Sequence, residues 1–249
     1  MYVDGKLIGF DGHIERLQRS LNELQMNHKV DREEMLQIHR ELVTRNNIDQ
    51  GMIYLQITRG NPGDRDFAFP PADTPITIVM FTQEKQVVGT AIETKGLKVV
   101  SVDDLRWGRR DIKTVQLLYP SMGKMMAKAA GCDDAWLIED GYVTEGTSNN
   151  AYFVKNGKIV TRPLSNDILH GITRKAVLRM AAEAQMEVEE RLFTIDEAKE
   201  ADEAFTTSAS AFVMPVVEID GVALGDGTPG PIAKRLREIY LDESRKAAI

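Results

Sequence analysis

The second half of the chain constrains the fold most strongly, because short apolar segments alternate there with longer amphipathic ones. Apolar runs of strand length lie at 97–102, 135–139, 151–154, 158–161, 204–207 and 213–219. Segments 116–130, 173–184 and 231–245 instead repeat apolar residues with the period of a helix. Pro231 suits the first turn of the last of these. The pattern predicts a mixed sheet with packed helices, which is an α/β or α+β fold.

The first half predicts a smaller α/β unit. Segments 13–25 and 32–45 have helical apolar spacing, and 52–58 and 76–82 have the composition of buried strands. Residues 59–75 form a connection between these strands that is long enough to suggest a functional loop. We predict an N-terminal subdomain at 1–84, a linker at 85–92 and a C-terminal cofactor-binding subdomain at 93–249. Few residues precede the hairpin turn Asp4-Gly5, so the start of the chain is expected to be frayed or part of a longer domain.

Composition argues against several classes of function. The formal charge is −7 and no basic stripe offsets it, so nucleic-acid binding is not predicted. No apolar run approaches the ~20 residues of a membrane helix, and the first residues lack the layout of a signal peptide. The single cysteine, Cys132, has no metal-ligand neighbours and cannot form an internal disulfide. We therefore expect no metal site and a reducing, cytoplasmic compartment.

A lysine lies in the first of three segments that carry chemically capable residues. Lys113 ends the charged sequence DLRWGRRDIK and precedes the apolar run at 115–119. A partly desolvated lysine has a lowered pKa and a nucleophilic amine. Spacing alone favours the alternative, which is a surface lysine whose stem covers apolar neighbours.

Small polar residues form the other two segments. Glu145 lies in a polar run between apolar stretches, which fits a capped loop and a ligand-facing wall equally well. Gly171 opens a helix whose first backbone N–H groups form either an anion site or an ordinary cap. The hydroxyl residues at 206–210 are candidates for the same anion. An amine, a lone acid and an anion site are together the groups needed to hold pyridoxal phosphate.

Six motifs resemble those of the class IV, or fold type IV, pyridoxal-phosphate-dependent aminotransferases, in the order and approximate spacing of that family. They are GHIERL at 12–17, YLQITRG at 54–60, DLRWGRRDIKT at 104–114, VTEGTSN at 143–149, ILHGITR at 168–174 and FTTSAS at 205–210. The resemblance extends from Tyr2 to the C-terminus and is strongest to the D-amino acid aminotransferases. It implies a two-domain fold, pyridoxal 5'-phosphate as cofactor and a homodimer with shared active sites. Family members normally carry further strands before this point, so the N-terminal domain is expected to be truncated.

The resemblance also implies roles for individual residues. Lys113 would bind the cofactor covalently and shuttle the substrate proton, and Glu145 would keep the ring nitrogen protonated. Arg16 would bind the phosphate through its forked guanidinium. Leu169 would pack on the face of the ring. The remaining cofactor contacts implied are Asn149, Ile172, Thr173, Ser208 and Ala209, the last through its backbone N–H alone.

The loop RGNPGDRDFAFPP at 59–71 suggests the substrate class. It resembles the loop of D-amino acid aminotransferases whose arginine binds the substrate carboxylate from the other subunit, and Arg65 matches that arginine. Phe67 replaces a histidine of that pattern. We predict transamination between D-amino acids, such as D-alanine, and 2-oxo acids. The alternatives are a branched-chain L-amino acid aminotransferase and a truncated form that binds the cofactor without turnover, and an aminodeoxychorismate lyase is less favoured.

Overall fold

A computed structural model describes residues 1–249, which form two compact units. The first unit comprises Met1–Val87 and Ala247–Ile249, and the second comprises Val88–Lys246. The division falls inside the segment 85–92 in which a linker is predicted. Leu7 and Ile249 exchange backbone hydrogen bonds of 2.9 and 3.1 Å. The last three residues therefore belong to the first unit, although the sequence pattern assigned them to the second.

The first unit packs two helices against a small antiparallel sheet. Its strands are β1 (Tyr2–Val3), β2 (Lys6–Leu7), β3 (Gly51–Thr58) and β4 (Thr77–Glu84), and its helices are α1 (Phe10–Glu23) and α2 (Arg32–Asn46). The strands pair in the order β2-β1-β3-β4. Both predicted helices and both predicted strands of this region are confirmed. They pack because the apolar stripe of each helix, which includes Ile14 and Leu36, joins one buried cluster with residues of the sheet.

The hairpin at the start of the chain is ordered rather than frayed. Asp4 and Gly5 adopt positive φ angles of 54° and 70°, as a two-residue turn between antiparallel strands requires. Tyr2 is completely buried and pairs with Gly51 on β3. The expectation of fraying is wrong because burial of this one aromatic side chain offsets the shortness of the strand.

The second unit is built on a nine-stranded mixed sheet with five helices. The strands are β5 (Leu97–Asp103), β6 (Asp134–Glu139), β7 (Tyr142–Gly146), β8 (Asn150–Lys155), β9 (Lys158–Thr161), β10 (Val188–Glu190), β11 (Glu203–Ser208), β12 (Phe212–Ile219) and β13 (Val222–Ala223). The helices are α3 (Ala91–Lys95), α4 (Leu118–Ala129), α5 (Ile172–Glu183), α6 (Ile195–Lys199) and α7 (Pro231–Lys246). The order of strands is β10-β9-β8-β11-β12-β5-β6-β7, with β13 paired to β12. Every strand and helix predicted for this region is confirmed, and the architecture agrees with the predicted α/β class.

The sheet curves around an apolar cluster. Val143 on β7, at one end of the strand order, and Val160 on β9, near the other end, belong to the same buried cluster. Trp136 and Phe193 lie in that cluster, with their rings in an edge-to-face arrangement. The curvature brings the end of β7 beside the start of β8, where the polar motifs lie. No helix of the chain combines the length and the apolarity needed to cross a membrane.

Candidate active site

Glu145 is a buried acid held by three donors near the end of β7, with 4% of its surface exposed. Its Oε1 accepts a hydrogen bond from Nη1 of Arg106 at 2.6 Å. Its Oε2 accepts from Nδ2 of Asn150 at 3.0 Å and from the backbone N–H of Leu169 at 3.1 Å. Burial raises the pKa of the Glu145 carboxyl, and the Arg106 guanidinium opposes that shift. Three donors on one buried carboxylate fix its orientation.

Arg106 connects Glu145 to a second buried acid. Its Nε and Nη2 donate to the two carboxylate oxygens of Asp104 at 2.8 and 2.6 Å, in the fork geometry of a strong arginine–carboxylate pair. Burial by itself would raise the pKa of Asp104, but its hydrogen bonds and ion pairs, chiefly with Arg106, hold that pKa below its ordinary value. Arg110 lies 3.5 Å from Asp104 and donates twice to Glu139 at 2.7 Å. The result is a continuous row of alternating charges ending at Glu145.

Asn150 joins three of the predicted motifs, and sequence reasoning missed it. Its side chain contacts Glu145, and its Nδ2 also donates to the carbonyl oxygen of Leu169 at 3.0 Å. Its backbone pairs with Thr207 across β8 and β11. A Cβ atom at Gly171 would lie 2.2 Å from Asn150 Oδ1, so only glycine fits there. The motifs at 143–149, 168–174 and 205–210 are therefore close neighbours in space.

Asn149, the predicted residue of this pair, has different contacts. Its Nδ2 donates to Oδ2 of Asp134 at 2.6 Å. Asp134 is buried and also accepts from Thr147 at 2.5 Å, with Lys124 at 3.2 Å. Asn149 lies in the bend before β8, whereas Asn150 is the first residue of that strand, and no local sequence pattern distinguishes the two asparagines.

The start of α5 has the character of an anion site. Gly171 is the N-cap residue, no side chain caps the helix and no acidic residue lies in its first turn. The backbone N–H groups of Ile172 and Thr173 therefore lie at the positive end of the helix dipole without a capping side chain. Helix α5 packs on β11 and β12. Ser208 is the last residue of β11, and Ala209 follows it in the connection to β12.

Lys113 lies in the segment between β5 and α4, and its side chain is exposed. In the single chain Lys113 is thus a surface lysine, which is the alternative that spacing alone favours, and its role toward the cofactor stays a prediction. The preceding residues are anchored, because the backbone N–H groups of Arg110 and Asp111 donate to the carbonyl oxygen of Asn166 at 2.9 and 3.3 Å. Ile112 is buried. The backbone that carries Lys113 is thus held beside the segment that leads to Leu169.

Two of the predicted residues belong to the first unit. Arg16 lies on α1, where burial lowers the pKa of its guanidinium to about 10, and its Nη2 donates to Nδ1 of His13 at 3.3 Å. Arg65 lies in the connection between β3 and β4, with its guanidinium 4.6 Å from the centre of the Phe67 ring. Phe67 is 88% exposed. The roles of both arginines stay predictions.

The residues of the second unit fit pyridoxal 5'-phosphate. The ring nitrogen of that cofactor requires a fixed carboxylate, which Glu145 would provide. Its phosphate requires N–H donors, and the start of α5, where no side chain caps the helix, would provide them next to Gly171. Its aldehyde requires an accessible amine, and Lys113 is exposed on an anchored loop.

Comparison with known proteins agrees with this chemistry. The family model described as "Amino-transferase class IV" matches residues 1–219. D-alanine aminotransferases from Staphylococcus aureus and Bacillus licheniformis are 38% and 39% identical over 94% of this chain, covering 83% and 82% of their own lengths. A branched-chain amino acid aminotransferase solved with N-(5'-phosphopyridoxyl)-L-glutamate, from the organism abbreviated T.th., superposes with a TM-score of 0.85 at 31% identity, over 98% of this chain and 82% of that one. The family uses pyridoxal 5'-phosphate and transfers amino groups between amino acids and 2-oxo acids. The chain belongs to the class IV aminotransferases.

Proposed function

We propose that this aminotransferase acts on D-amino acids, such as D-alanine, with 2-oxo acids as amino acceptors. The observation that carries the aminotransferase chemistry is the buried Glu145 carboxylate, held by Arg106, Asn150 and Leu169. The start of α5 follows Leu169 in the chain, and the exposed Lys113 lies on a loop anchored to Asn166. The preference for D-amino acids is supported by the relatives described as D-alanine aminotransferases.

Lys113 and Glu145 carry the chemistry in this proposal. When bound, pyridoxal phosphate supplies an aldehyde that exchanges amino groups and a ring that delocalises electrons. Lys113 would bind the cofactor covalently in the resting enzyme. Once the substrate amine had displaced it, the free Lys113 amine would move a proton between the substrate α-carbon and the cofactor's aldehyde carbon. Glu145 would hold a proton at the ring nitrogen, and Arg106 favours the charged form of the Glu145 carboxyl against the effect of burial.

The other predicted residues bind and orient. Arg16 and the N–H groups of Ile172, Thr173 and Ala209 bind the phosphate, with the Ser208 hydroxyl beside them. Leu169 packs on the face of the ring. Asn149 holds the wall of the site through its bond to Asp134.

Arg65 selects the substrate in this proposal. A carboxylate is best held by two parallel N–H donors, which the guanidinium supplies. Arg65 stacks on Phe67 in an exposed loop, so the pair presents both a cation and an apolar surface. We expect D-amino acids with apolar side chains to be good substrates.

We also propose that the enzyme is a homodimer with shared active sites. An apolar stripe on α4 and the residues before it is exposed in the single chain, and its members are Val115, Leu117, Leu118, Met122 and Met125. Exposed apolar surface of this kind marks protein–protein contacts. Because the stripe follows Lys113, contact with a second copy would reduce the exposure of the lysine as well. Met125→Lys should shift the mass measured by light scattering from dimer to monomer, whereas an unchanged mass would place the interface elsewhere.

The substrate class is tested by coupled detection of products. The purified holoenzyme is given D-alanine, D-aspartate, L-alanine or L-leucine as donor, with pyruvate or 2-oxoglutarate as acceptor. Higher kcat/KM for D-donors than for L-donors supports the proposal. Preference for L-leucine would instead favour the second candidate, a branched-chain L-amino acid aminotransferase, for which the superposition on the solved branched-chain enzyme is the supporting observation.

A further inference from the structure

Phe212 has an unusual backbone conformation at the end of the β11–β12 connection. Its φ is 62°, in the left-handed region. The other residues with positive φ that are not glycine are aspartates, asparagines and glutamines, and Phe212 is the only aromatic residue among them. The side chain is 1% exposed. A bulky residue keeps this conformation only where its surroundings impose it, and such strain is concentrated at functional sites.

Arg237 on α7 supplies the restraint. Its Nη1 donates to the carbonyl oxygens of Ala211 at 2.7 Å and Val213 at 2.8 Å, which are the residues on either side of Phe212. Its guanidinium lies 5.8 Å from the centre of the Phe212 ring, and the ring of Tyr240, one turn further along α7, lies 5.4 Å from the same ring. Both carbonyl groups can reach one donor only because the chain turns at Phe212.

Arg237 is itself fixed in position. It is 7% exposed, and its Nη2 forms an ion pair of 2.7 Å with Glu93. Glu93 in turn accepts hydrogen bonds from the backbone N–H and the hydroxyl of Thr90, which is the N-cap residue of α3. A buried arginine with a fixed counter-ion and two carbonyl acceptors is a rigid support.

The same helix also contacts the other side of the anion site. It packs on α5, whose first turn contains Thr173. Helix α7 therefore contacts both parts of the anion site: the end of β11 and the connection to β12 through Arg237, and helix α5 by direct packing.

We propose that Arg237 is a positioning residue for phosphate binding, which holds the Ser208–Ala211 connection in its binding conformation by clamping the strained backbone at Phe212. The inference rests on the proposed binding of the cofactor phosphate by that connection and the start of α5. Arg237 does not touch the cofactor in this account. It fixes the direction of the backbone N–H groups that do.

The test compares two ligands that differ only in the phosphate group. The dissociation constants of pyridoxal 5'-phosphate and of pyridoxal are measured by absorbance titration of the apoenzyme, for the wild type, Arg237→Met and the matched control Arg235→Met. Arg235 is an exposed residue of the same helix. Arg237→Met should weaken binding of pyridoxal phosphate by about 10-fold to 100-fold, because the backbone N–H groups that bind the phosphate lose their fixed direction when the two charge-assisted hydrogen bonds to Ala211 and Val213 are removed. Binding of pyridoxal should change by less than about twofold, and Arg235→Met should alter neither constant.

Each outcome has a defined meaning. Equal weakening of both ligands would overturn the proposal, because Arg237 would then support the fold in general, and so would unchanged binding of both. Arg237→Gln retains one donor group, so its dissociation constant for pyridoxal phosphate should lie between those of the wild type and Arg237→Met. This variant replaces Arg237→Met in the test if the methionine variant does not fold. A wild-type enzyme that binds pyridoxal as tightly as pyridoxal phosphate would instead refute the phosphate site itself.

Discussion

Replacing Arg106 with leucine should destabilise the protein in a strongly pH-dependent manner. The side chain of Arg106 is 10% exposed and pairs with Asp104 and Glu145, whose side chains are 0% and 5% exposed. Solvent therefore screens these pairs little, and the variant leaves two buried carboxylates without their cation. Removing one partner of a buried pair costs about 3–5 kcal/mol at neutral pH. We expect that loss in the free energy of unfolding at about pH 7.5.

The loss should shrink in acid. In the wild type the lowered pKa of Asp104 contributes stability that is present above the ordinary pKa of a carboxyl and is lost as the pH falls through the lowered value. The pKa of Glu145 is raised, so its contribution has the opposite sign and is lost as the pH rises. Without Arg106 the pKa values of both carboxyls rise. Ionisation of the two acids in the folded variant therefore lowers the free energy of unfolding further as the pH rises. At about pH 4 they are largely protonated, and the remaining loss should be about 1–2 kcal/mol.

Urea unfolding of wild type and variant at both pH values measures the difference. Arg179→Leu is the control, because Arg179 forms an exposed pair with Glu183 and should change stability by less than about 0.5 kcal/mol. A loss at neutral pH no larger than that of the control, or a loss independent of pH, would refute the reasoning. The double variant Arg106→Leu with Glu145→Gln should recover part of the neutral-pH loss, because one of the two uncompensated charges is then absent.

The remaining predictions concern the reaction. Lys113→Ala should bind pyridoxal phosphate yet lose turnover by several orders of magnitude. Borohydride reduction of the wild-type holoenzyme followed by peptide mapping should label Lys113, and a label on another lysine would contradict its assignment. Glu145→Gln should keep the fold and the cofactor but slow α-proton removal, measured as exchange of the substrate α-proton with deuterium, whereas wild-type exchange rates would make Glu145 purely structural. Arg65→Ala should lower kcat/KM for D-alanine by an amount equivalent to about 2–4 kcal/mol of transition-state stabilisation, with much less effect on primary amines that lack a carboxylate. Equal losses for both kinds of substrate would argue against a carboxylate contact.

The local organisation of the chain could be predicted from the sequence because its signals are local. Apolar period distinguished the longer helices from the longer strands, for example α5 from β12, whereas the short elements α3, α6, β10 and β13 were not predicted. The motifs containing Lys113, Glu145 and Ser208 indicated the family and its cofactor, because backbone turns and small polar residues leave recognisable patterns over a few positions. The structure places the motifs of the second unit side by side at the ends of β7, β8 and β11.

Only the tertiary structure decided which side chains support those motifs. Arg106 and Glu145 are 39 positions apart, and Arg237 is 26 positions from Ala211, so no local pattern indicates either contact. Asn150, the first residue of β8, contacts Glu145, whereas Asn149 in the preceding bend contacts Asp134. Ion pairs and clamps of this kind require close approach of residues distant in the chain, and only the folded packing determines that approach.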